Sequence, residues 1–587
     1  MSNARHYDES LIDLARAEDF TDDKFLECFS ETKRERELID RIKGPGAHIL
    51  EGPRGVGKST LFKKAELELD AAFVQNKELG VYVNFKAALL METSTDEFGY
   101  NPFLCWVVAK LLDAFYKKSR ALSAIPSSQI KDRYERLFDI STRGGENSIE
   151  DTIRDLQALS NAATEEVRKE IISRLKERGV ENYTNVDFVS DFMREIAADN
   201  NISRVVFLFD EAAHTFNERQ QETFFEFFKL LHGDIVSVKA AVYPGITSYG
   251  GNFEIGQDAI LISTSSIEEN RAPARGQLIK HFRELLQKRL PPAKFRKFVD
   301  RGAALDTLIL LSNGNPRMFL HTASKMLASK EISKRSALAA SNDYVSKELV
   351  NYHLGLKKRL PRFASHIDLG MELVKGHLVP ELQKKNEGKG ANPKIQTVYF
   401  TIEELVPHKI KKALSLLEYS GYVFDKSVVK ISKRRQSRRY SLNLAVAAND
   451  KIFHSIYSRN PAKAIKKLSI ADYREFYASD DRFQQLVDEN PAQESCPNGH
   501  LRNADGDFCP ICGARFTINE VLKDLLNDPI QVLPMSDFLN ERVYTVFSAE
   551  TVGDVLKLTE SQLQQAHMIG PVRSRMIINI AEEYISG

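Results

Sequence analysis

The sequence predicts an α/β fold: a parallel sheet with helices around it, followed by smaller domains. Three observations predict it. The first is the glycine-rich stretch Gly52-Pro53-Arg54-Gly55-Val56-Gly57-Lys58-Ser59, set between a short apolar run at Ile49-Leu50 and the helix-forming Leu61-Phe62-Lys63-Lys64-Ala65-Glu66. The second is Val205-Val206-Phe207-Leu208-Phe209, a continuous apolar run ending in Asp210-Glu211, the pattern of a strand at the buried centre of a parallel sheet. The third is size: 587 residues, 42% apolar and 28% charged, suit roughly three to five domains with cores of their own.

Composition narrows the function classes. Lys and Arg number 82 and Asp and Glu 81, a net charge of +1, so no global field draws the chain to nucleic acid or membrane. Such contacts must come from local patches. No apolar run approaches the ~20 residues of a membrane span. Residues Met1 to Ser30 are acidic and polar, with neither a basic n-region nor an apolar h-region, so no secretion signal is expected. Of five cysteines, three stand near the C-terminus with a histidine, while Cys28 and Cys105 are isolated. That is no disulfide framework, and it fits a reducing cytoplasm.

The stretch from Gly52 to Ser59 fits the phosphate-loop pattern G-x-x-x-x-G-K-[ST] at every fixed position. A backbone that wraps a polyphosphate with its N–H groups needs glycine, because side chains would block the approach. A helix starting at Gly57 aims its positive end at the anion. Lys58 reaches the β- and γ-phosphates, and Ser59 offers its hydroxyl to magnesium. Gly52, Pro53, Arg54, Gly55, Val56, Gly57, Lys58, Ser59 and Thr60 are the expected ATP contacts. About 150 residues on, Asp210 is the expected second magnesium ligand and Glu211 the group that polarises the attacking water. Lys58, Asp210 and Glu211 form the expected catalytic set.

Asp8 to Lys43 reads as helical, with Leu38, Ile39 and Ile42 at helical spacing. Such a helix either holds the adenine base or simply packs. Val81-Tyr82-Val83-Asn84-Phe85 reads as a second strand, with Asn84 a candidate contact of the catalytic carboxylate. About 87–201 reads as a helical insertion carrying Trp106, long for one strand-to-strand connection, and a candidate surface for a protein partner. Val236 to Val242 is another strand, running into Tyr243-Pro244-Gly245-Ile246-Thr247-Ser248. Thr247 and Ser248 are both candidates there for a polar group facing the γ-phosphate, or are ordinary turn residues. Arg271, Arg275, Arg283 and Arg289 are candidate arginine fingers of a homo-oligomer, and none is singled out. Gly314-Asn315-Pro316-Arg317 starts a helix and sets Arg317 at its N-terminal end, over the nucleotide.

Together, Gly52 to Ser59, Asp210-Glu211, Tyr243-Pro244-Gly245 with Thr247, and Gly314 to Arg317 resemble the AAA+ ATPases, within them the origin-recognition initiator and STAND-like branch. The resemblance covers roughly residues 20 to 345. It implies a P-loop AAA+ parallel sheet over 1–345 with a helical lid at about 290–345. It also implies that Arg317 is the lid arginine that senses the γ-phosphate. The long insertion departs from the compact initiator core.

Residues 346–457 resemble a winged helix, with Lys409 to Leu417 as a helix and Val428 to Ile431 and Arg439 to Leu444 as the wing. Lys430, Lys433, Arg434, Arg435, Arg438 and Arg439 are expected at its tip, as a contact for a DNA backbone or as a solvated turn. A helical linker is expected over 458–490. Cys496, His500, Cys509 and Cys512, spaced C-x₃-H and C-x₂-C, are expected to hold a structural Zn²⁺ in a zinc ribbon over 491–517. Residues 518–587 resemble a helix-hairpin-helix module, also found in the C-terminal domain of the RNA polymerase α subunit. The usual first glycine of its hairpin is Met568 here, and Arg573 and Arg575 add charge. This module grips phosphate without reading bases or docks a protein. The expected function is that of a cytoplasmic ATPase acting on or with DNA. Alternatives are a nucleotide-gated STAND-like switch in a bacterial antiviral defence system and a target-selection ATPase of a transposon.

Overall fold

In the computed structural model of the chain, the described residues are 21–85, 101–121, 148–160, 165–180, 183, 185–212, 218–264, 272–359, 363–390, 393–432, 435–477, 483, 485–486, 526–533, 535–558, 560–570, 573–574, 576–578 and 580–581. They fall into two compact units. One comprises Met1–Ile267, Pro273–Leu305 and Gly314–Ile332; the other comprises Glu268–Ala272, Asp306–Asn313 and Ser333–Gly587. None of the helices among the described residues is long and apolar enough to cross a membrane.

The first unit is an α/β fold on a parallel sheet of β1 (His48–Glu51), β2 (Glu78–Asn84), β3 (Arg204–Asp210), β4 (Val236–Val242) and β5 (Ile260–Ser263), in the order β2-β3-β4-β1-β5. β3 explains the layering. Val205, Phe207 and Phe209 enter one apolar core while Val206 and Leu208 enter another, so every residue of the run is buried on one face or the other. One face is covered by α1 (Asp22–Cys28), α2 (Lys33–Lys43) and α3 (Lys58–Asn76). The other is covered by α4 (Pro102–Ala121), α5 (Ser148–Ser160), α6 (Glu165–Glu177), α7 (Val186–Asp199) and α8 (Glu218–Leu231). The insertion is therefore part of the main core: Trp106, Phe115, Leu156, Leu175 and Phe192 are all buried in it. Lys118 of α4 also braces α3, donating to Glu66 Oε1 (2.8 Å) and Asp70 Oδ2 (2.5 Å). The expected helix from Asp8 to Lys43 is, in its described part, two helices, because Thr32 opens α2 with a capping box to Glu35.

Further along come α9 (Ala272–Arg289), α10 (Pro292–Val299), α11 (Gly302–Leu311) and α12 (Pro316–Leu327). The next helix, α13 (Lys334–Tyr344), groups with the second unit.

The second unit holds α14 (Val350–Arg359), α15 (Ala364–Glu372), α16 (Val379–Glu387), α17 (His408–Ser420), α18 (Leu444–Asn449) and α19 (Pro461–Ile465). Its sheet, β7-β8-β6-β9, is formed by β6 (Tyr399–Glu403), β7 (Val423–Ser432), β8 (Arg435–Leu442) and β9 (Tyr473–Phe476). Two expectations are corrected here. The hairpin is longer than the sequence suggested, with its pairing running out to Ser432 opposite Arg435. Arg438 and Arg439 are therefore in the body of β8, where Arg438 pairs with Asp425 (2.9 Å) and Arg439 stacks 4.8 Å from the centre of the Tyr473 ring. Lys433 and Arg434 lie outside the described residues. The range 458–490, expected to be a helical linker, holds among its described residues a five-residue helix, helical residues at 483 and 485–486, and the strand β9, which pairs with β6 and packs Phe476 on Phe400.

Farther along, α20 (Asp537–Phe547), α21 (Val552–Leu556) and α22 (Glu560–Leu563) enclose a core of Ile530, Leu539, Val543, Val555, Leu563 and Ile577. Met568 has φ +68°, the backbone a glycine takes without cost, and is 57% exposed. Arg573 donates to its carbonyl (2.7 Å). Arg575 and the four candidate zinc ligands Cys496, His500, Cys509 and Cys512 lie outside the described residues.

Two stability predictions follow from these features. Met568→Gly removes left-handed strain costing ~1–2 kcal/mol and little packing, and should raise stability by about 0.5–1 kcal/mol in urea unfolding. Burial lowers the pKa of His353, His366 and His408 to about 4 each. Their neutral forms are favoured in the fold, so stability is full above the unfolded value near 6.5 and falls as pH drops toward about 4. The loss is on the order of 3 kcal/mol per group. His353→Gln should flatten this dependence in denaturant titrations at pH 7 and 4.5.

Candidate functional site

The strand ends build the site. β1 and β4 run in register, Glu51 opposite Val242, and Gly52 leaves the sheet with its N–H donating to Val242 O (3.3 Å). Gly52 has no room for a side chain. A Cβ would stand 1.8 Å from Thr264 Oγ1, and Thr264 is fixed to Glu51 O through its N–H (2.8 Å) and hydroxyl (3.1 Å). Gly55 and Gly57 have φ +84° and +96°, the left-handed backbone that favours glycine. Gly57 is the N-cap of the 19-residue α3, and no side chain caps that end, so the first N–H groups face the pocket as an anion site.

Lys58 is 6% exposed. Its ammonium donates to Gly52 O (2.5 Å) and Pro53 O (3.1 Å) and lies 4.0 Å from the centre of the Tyr243 ring. Burial lowers its pKa to about 8, and the Glu211 and Asp210 carboxylates pull the other way.

Asp210 is 2% exposed. It accepts from Tyr82 Oη (2.5 Å), from the Glu211 N–H (3.0 Å) and from the Ser59 hydroxyl. Burial first, then the neighbouring Glu211 charge, raises its pKa; Ser59, Tyr82 and Lys58 counter this. Asn84, in register with Asp210, donates to Tyr82 Oη (3.4 Å), so one route from it to the carboxylate runs through Tyr82. Glu211 has φ +57°, and its Oε2 accepts from Tyr243 Oη (2.7 Å).

Lys58, Ser59, Asp210, Glu211 and Tyr243 line one open pocket, about 900 Å³ with its open solvent space included, together with Arg54, Gly55, Val56, Gly57, Thr60 and Arg317. Its remaining wall comes from Phe29, Ser30 and Glu35 around the α1–α2 turn, His281, Leu285 and Arg289 of α9, and Leu320 of α12. The α2 wall is held by Arg36, which reaches Glu68 of α3 with both terminal nitrogens (2.7 Å each), and by Lys43 on the same carboxylate (2.7 Å). Asn315 joins the loop to α12. Its Oδ1 caps the helix by accepting from Met318 N (3.1 Å), and its Nδ2 donates to Arg54 O (2.9 Å). A Cβ on Gly55 would meet the Asn315 amide at 2.8 and 3.0 Å, which shows how closely loop and helix approach.

The structure thus brings together Lys58, Ser59, Thr60, Asp210, Glu211, Arg317 and the loop from Arg54 to Gly57, with Gly52 and Pro53 contributing carbonyls to Lys58. Thr247 lies in the turn beyond β4. Its hydroxyl donates to Tyr243 O (2.7 Å) within the turn, and Ser248 binds Gln221 and Glu222. The group at this strand end that faces the carboxylates is Tyr243. Arg289 lines the pocket of its own chain and donates to Cys28 O (2.6 Å); Arg275 and Arg283 do not line it, and Arg271 lies outside the described residues. Tyr243 and Asn315 were missed as functional. Asn315 had a readable signal, an asparagine directly before a proline at a helix start.

Comparison with known proteins locates this region. The family model described as ORC-CDC6-like matches residues 10–248, less than half of the chain. A Walker-type ATPase of Pyrococcus abyssi is 14% identical, covering 75% of this chain and 99% of its own, with a TM-score of 0.33. The ORC2 protein of Aeropyrum pernix, in ADPNP–ADP complexes, is 10% identical over 74% of this chain and 95% of its own, with a TM-score of 0.31. The ORC1 protein of Aeropyrum pernix, in complex with DNA, is 13% identical over 72% and 92%, with a TM-score of 0.28. At such TM-scores these likenesses carry no argument about this chain. No curated protein matches.

Asn315→Ala should cost about 1 kcal/mol of stability through the lost cap and weaken nucleotide binding through the loosened loop. Asn315→Asp, which caps equally well, should restore the stability in thermal unfolding but not the bond to Arg54.

Proposed function

We propose that this chain is an AAA+ protein that binds ATP with magnesium in the pocket above, hydrolyses it, and acts on or with DNA. One observation carries the reading: the Gly52–Thr60 loop and the Asp210–Glu211 pair converge on the buried ammonium of Lys58. A buried cation beside an uncapped helix N-terminus suits a polyphosphate. The Ser59 hydroxyl and the Asp210 carboxylate, hydrogen-bonded to each other, are the hard oxygen pair that magnesium takes, and the metal when bound supplies charge neutralisation at the phosphates.

Each residue then has a task. Lys58 leaves the Gly52 and Pro53 carbonyls for the β- and γ-phosphate oxygens. Glu211 takes a proton from the attacking water as the new P–O bond forms, and ADP leaves with the electrons of the broken one. Arg317 approaches from the start of α12, tying the lid to the γ-phosphate. Phe29, Ser30, Glu35 and His281 leave the nucleoside end of the pocket to adenosine.

The DNA part of the proposal rests on the second unit. The helix α17 followed by the β7–β8 hairpin supports a winged helix over 346–457, with Lys430 and the residues around the turn as its phosphate contact. The zinc ribbon over 491–517, with Cys496, His500, Cys509 and Cys512 around Zn²⁺, and the helix-hairpin-helix module over 518–587 complete the reading. A homo-oligomer goes with it. A nucleotide-gated STAND-like switch, with a protein partner on the insertion, is the second reading; the brace from Lys118 to the phosphate-loop helix favours it.

Lys58→Ala should abolish ATP binding, and Glu211→Gln should retain ATP while turnover falls about 10²–10⁴-fold. Unchanged hydrolysis in both would sink the assignment. Duplex DNA should stimulate turnover, with binding that weakens steeply as salt rises; no DNA affinity at low salt would leave the switch reading.

A further inference from the structure

Tyr243 makes two contacts that neither the loop nor the carboxylates make by themselves. β4 lies between β1 and β3 in the sheet, so the first residue beyond it emerges midway between Lys58 and Glu211. The side chain of Tyr243 is buried, 4% exposed. The face of its ring carries the Lys58 ammonium at 4.0 Å, and its hydroxyl donates to Glu211 Oε2 at 2.7 Å. The turn behind it is fixed: Thr247 Oγ1 donates to Tyr243 O (2.7 Å), and Gly245 takes φ +71° to close the loop. Glu211 itself leaves β3 with φ +57°, so the strand no longer sets the direction of its side chain.

We propose that Tyr243 is a positioning residue: its hydroxyl aims the Glu211 carboxylate, and its ring makes that aim depend on Lys58. The proposal stands on the hydrolysis reading above and deepens it. A glutamate has three rotatable side-chain bonds, and a general base works only within about 2.6–3.2 Å of the proton it takes. Misplacement by ~1 Å costs roughly 10²-fold. A neutral donor fixes the carboxylate plane without cancelling its charge. The same ring is a desolvated cation–π partner for the buried ammonium. Polyphosphate that draws Lys58 off the Gly52 and Pro53 carbonyls therefore acts on the side chain that holds the base.

Tyr243→Phe tests this, because it keeps the ring and removes only the hydroxyl. The expected result is a fall in kcat of about tenfold or more, with the affinity for a non-hydrolysable ATP analogue within about twofold of wild type. In a Glu211→Ala background, Tyr243→Phe should lower kcat no further. A nucleotide-free readout accompanies it: the two single substitutions should each lower Tm, and the double variant should melt no lower than the worse single one. A Tyr243→Phe protein with wild-type kcat, or additive losses in the double variant, overturns the proposal. A loss of affinity equal to the loss of rate overturns it too, by making Tyr243 a binding residue. Absence of turnover in the wild-type protein overturns the hydrolysis reading, and this proposal with it; wild-type turnover with an unaffected Tyr243→Phe overturns this one alone.

Discussion

The constraint on which the site depends is the burial of one ammonium. A lysine without water must be surrounded by oxygen and π-electron density, or it loses its proton. Around Lys58 these come from three places in the chain: the carbonyls of Gly52 and Pro53, the ring of Tyr243, and the carboxylates of Asp210 and Glu211. The dependence is mutual. Asp210 is as deeply buried and sits beside a second carboxylate, and Lys58, Ser59 and Tyr82 counter the rise in its pKa that both bring. The sheet order turns this into geometry, because with β4 between β1 and β3 the three strand ends deliver their groups to one level.

The helix carrying Arg317 is tied to this arrangement through the Asn315 amide. Its oxygen caps α12 while its nitrogen donates to Arg54 O. The glycine at position 55 is needed twice, for its positive φ and for the closeness of that amide. Loop shape and helix position are thereby set by the same few atoms.

How much of this was legible in the sequence varied with how narrowly chemistry limits the residue. The phosphate loop was legible because only glycine admits its backbone and only lysine supplies its cation. β3 was legible because a strand buried on both faces needs an unbroken apolar run. Tyr243 was not, since an aromatic residue at the end of an apolar strand reads as core, and its hydroxyl matters only once Glu211 is placed opposite. Thr247 stayed ambiguous because a threonine in a turn has the same sequence signature whether it faces a ligand or its own backbone. In the second unit, strand register decided what the pattern of arginines could not: the pairing runs out to Ser432 opposite Arg435, and Arg438 and Arg439 fall in the strand. β9 was hidden because four residues are too few to show a period, and its pairing with β6 is long-range.

The brace between the insertion and the phosphate-loop helix has a mechanical meaning. Lys118 meets α3 at Glu66 and Asp70, eight and twelve residues beyond Lys58, or about 12 and 18 Å along the helix axis. A helix is stiff over that length, and α4 is packed into the same core as β2 and β3. The insertion is thus less an ornament than a strut seated on a rigid shaft. The shaft's first turn is where the phosphate loop ends, so α4 and that loop are fastened to the same helix.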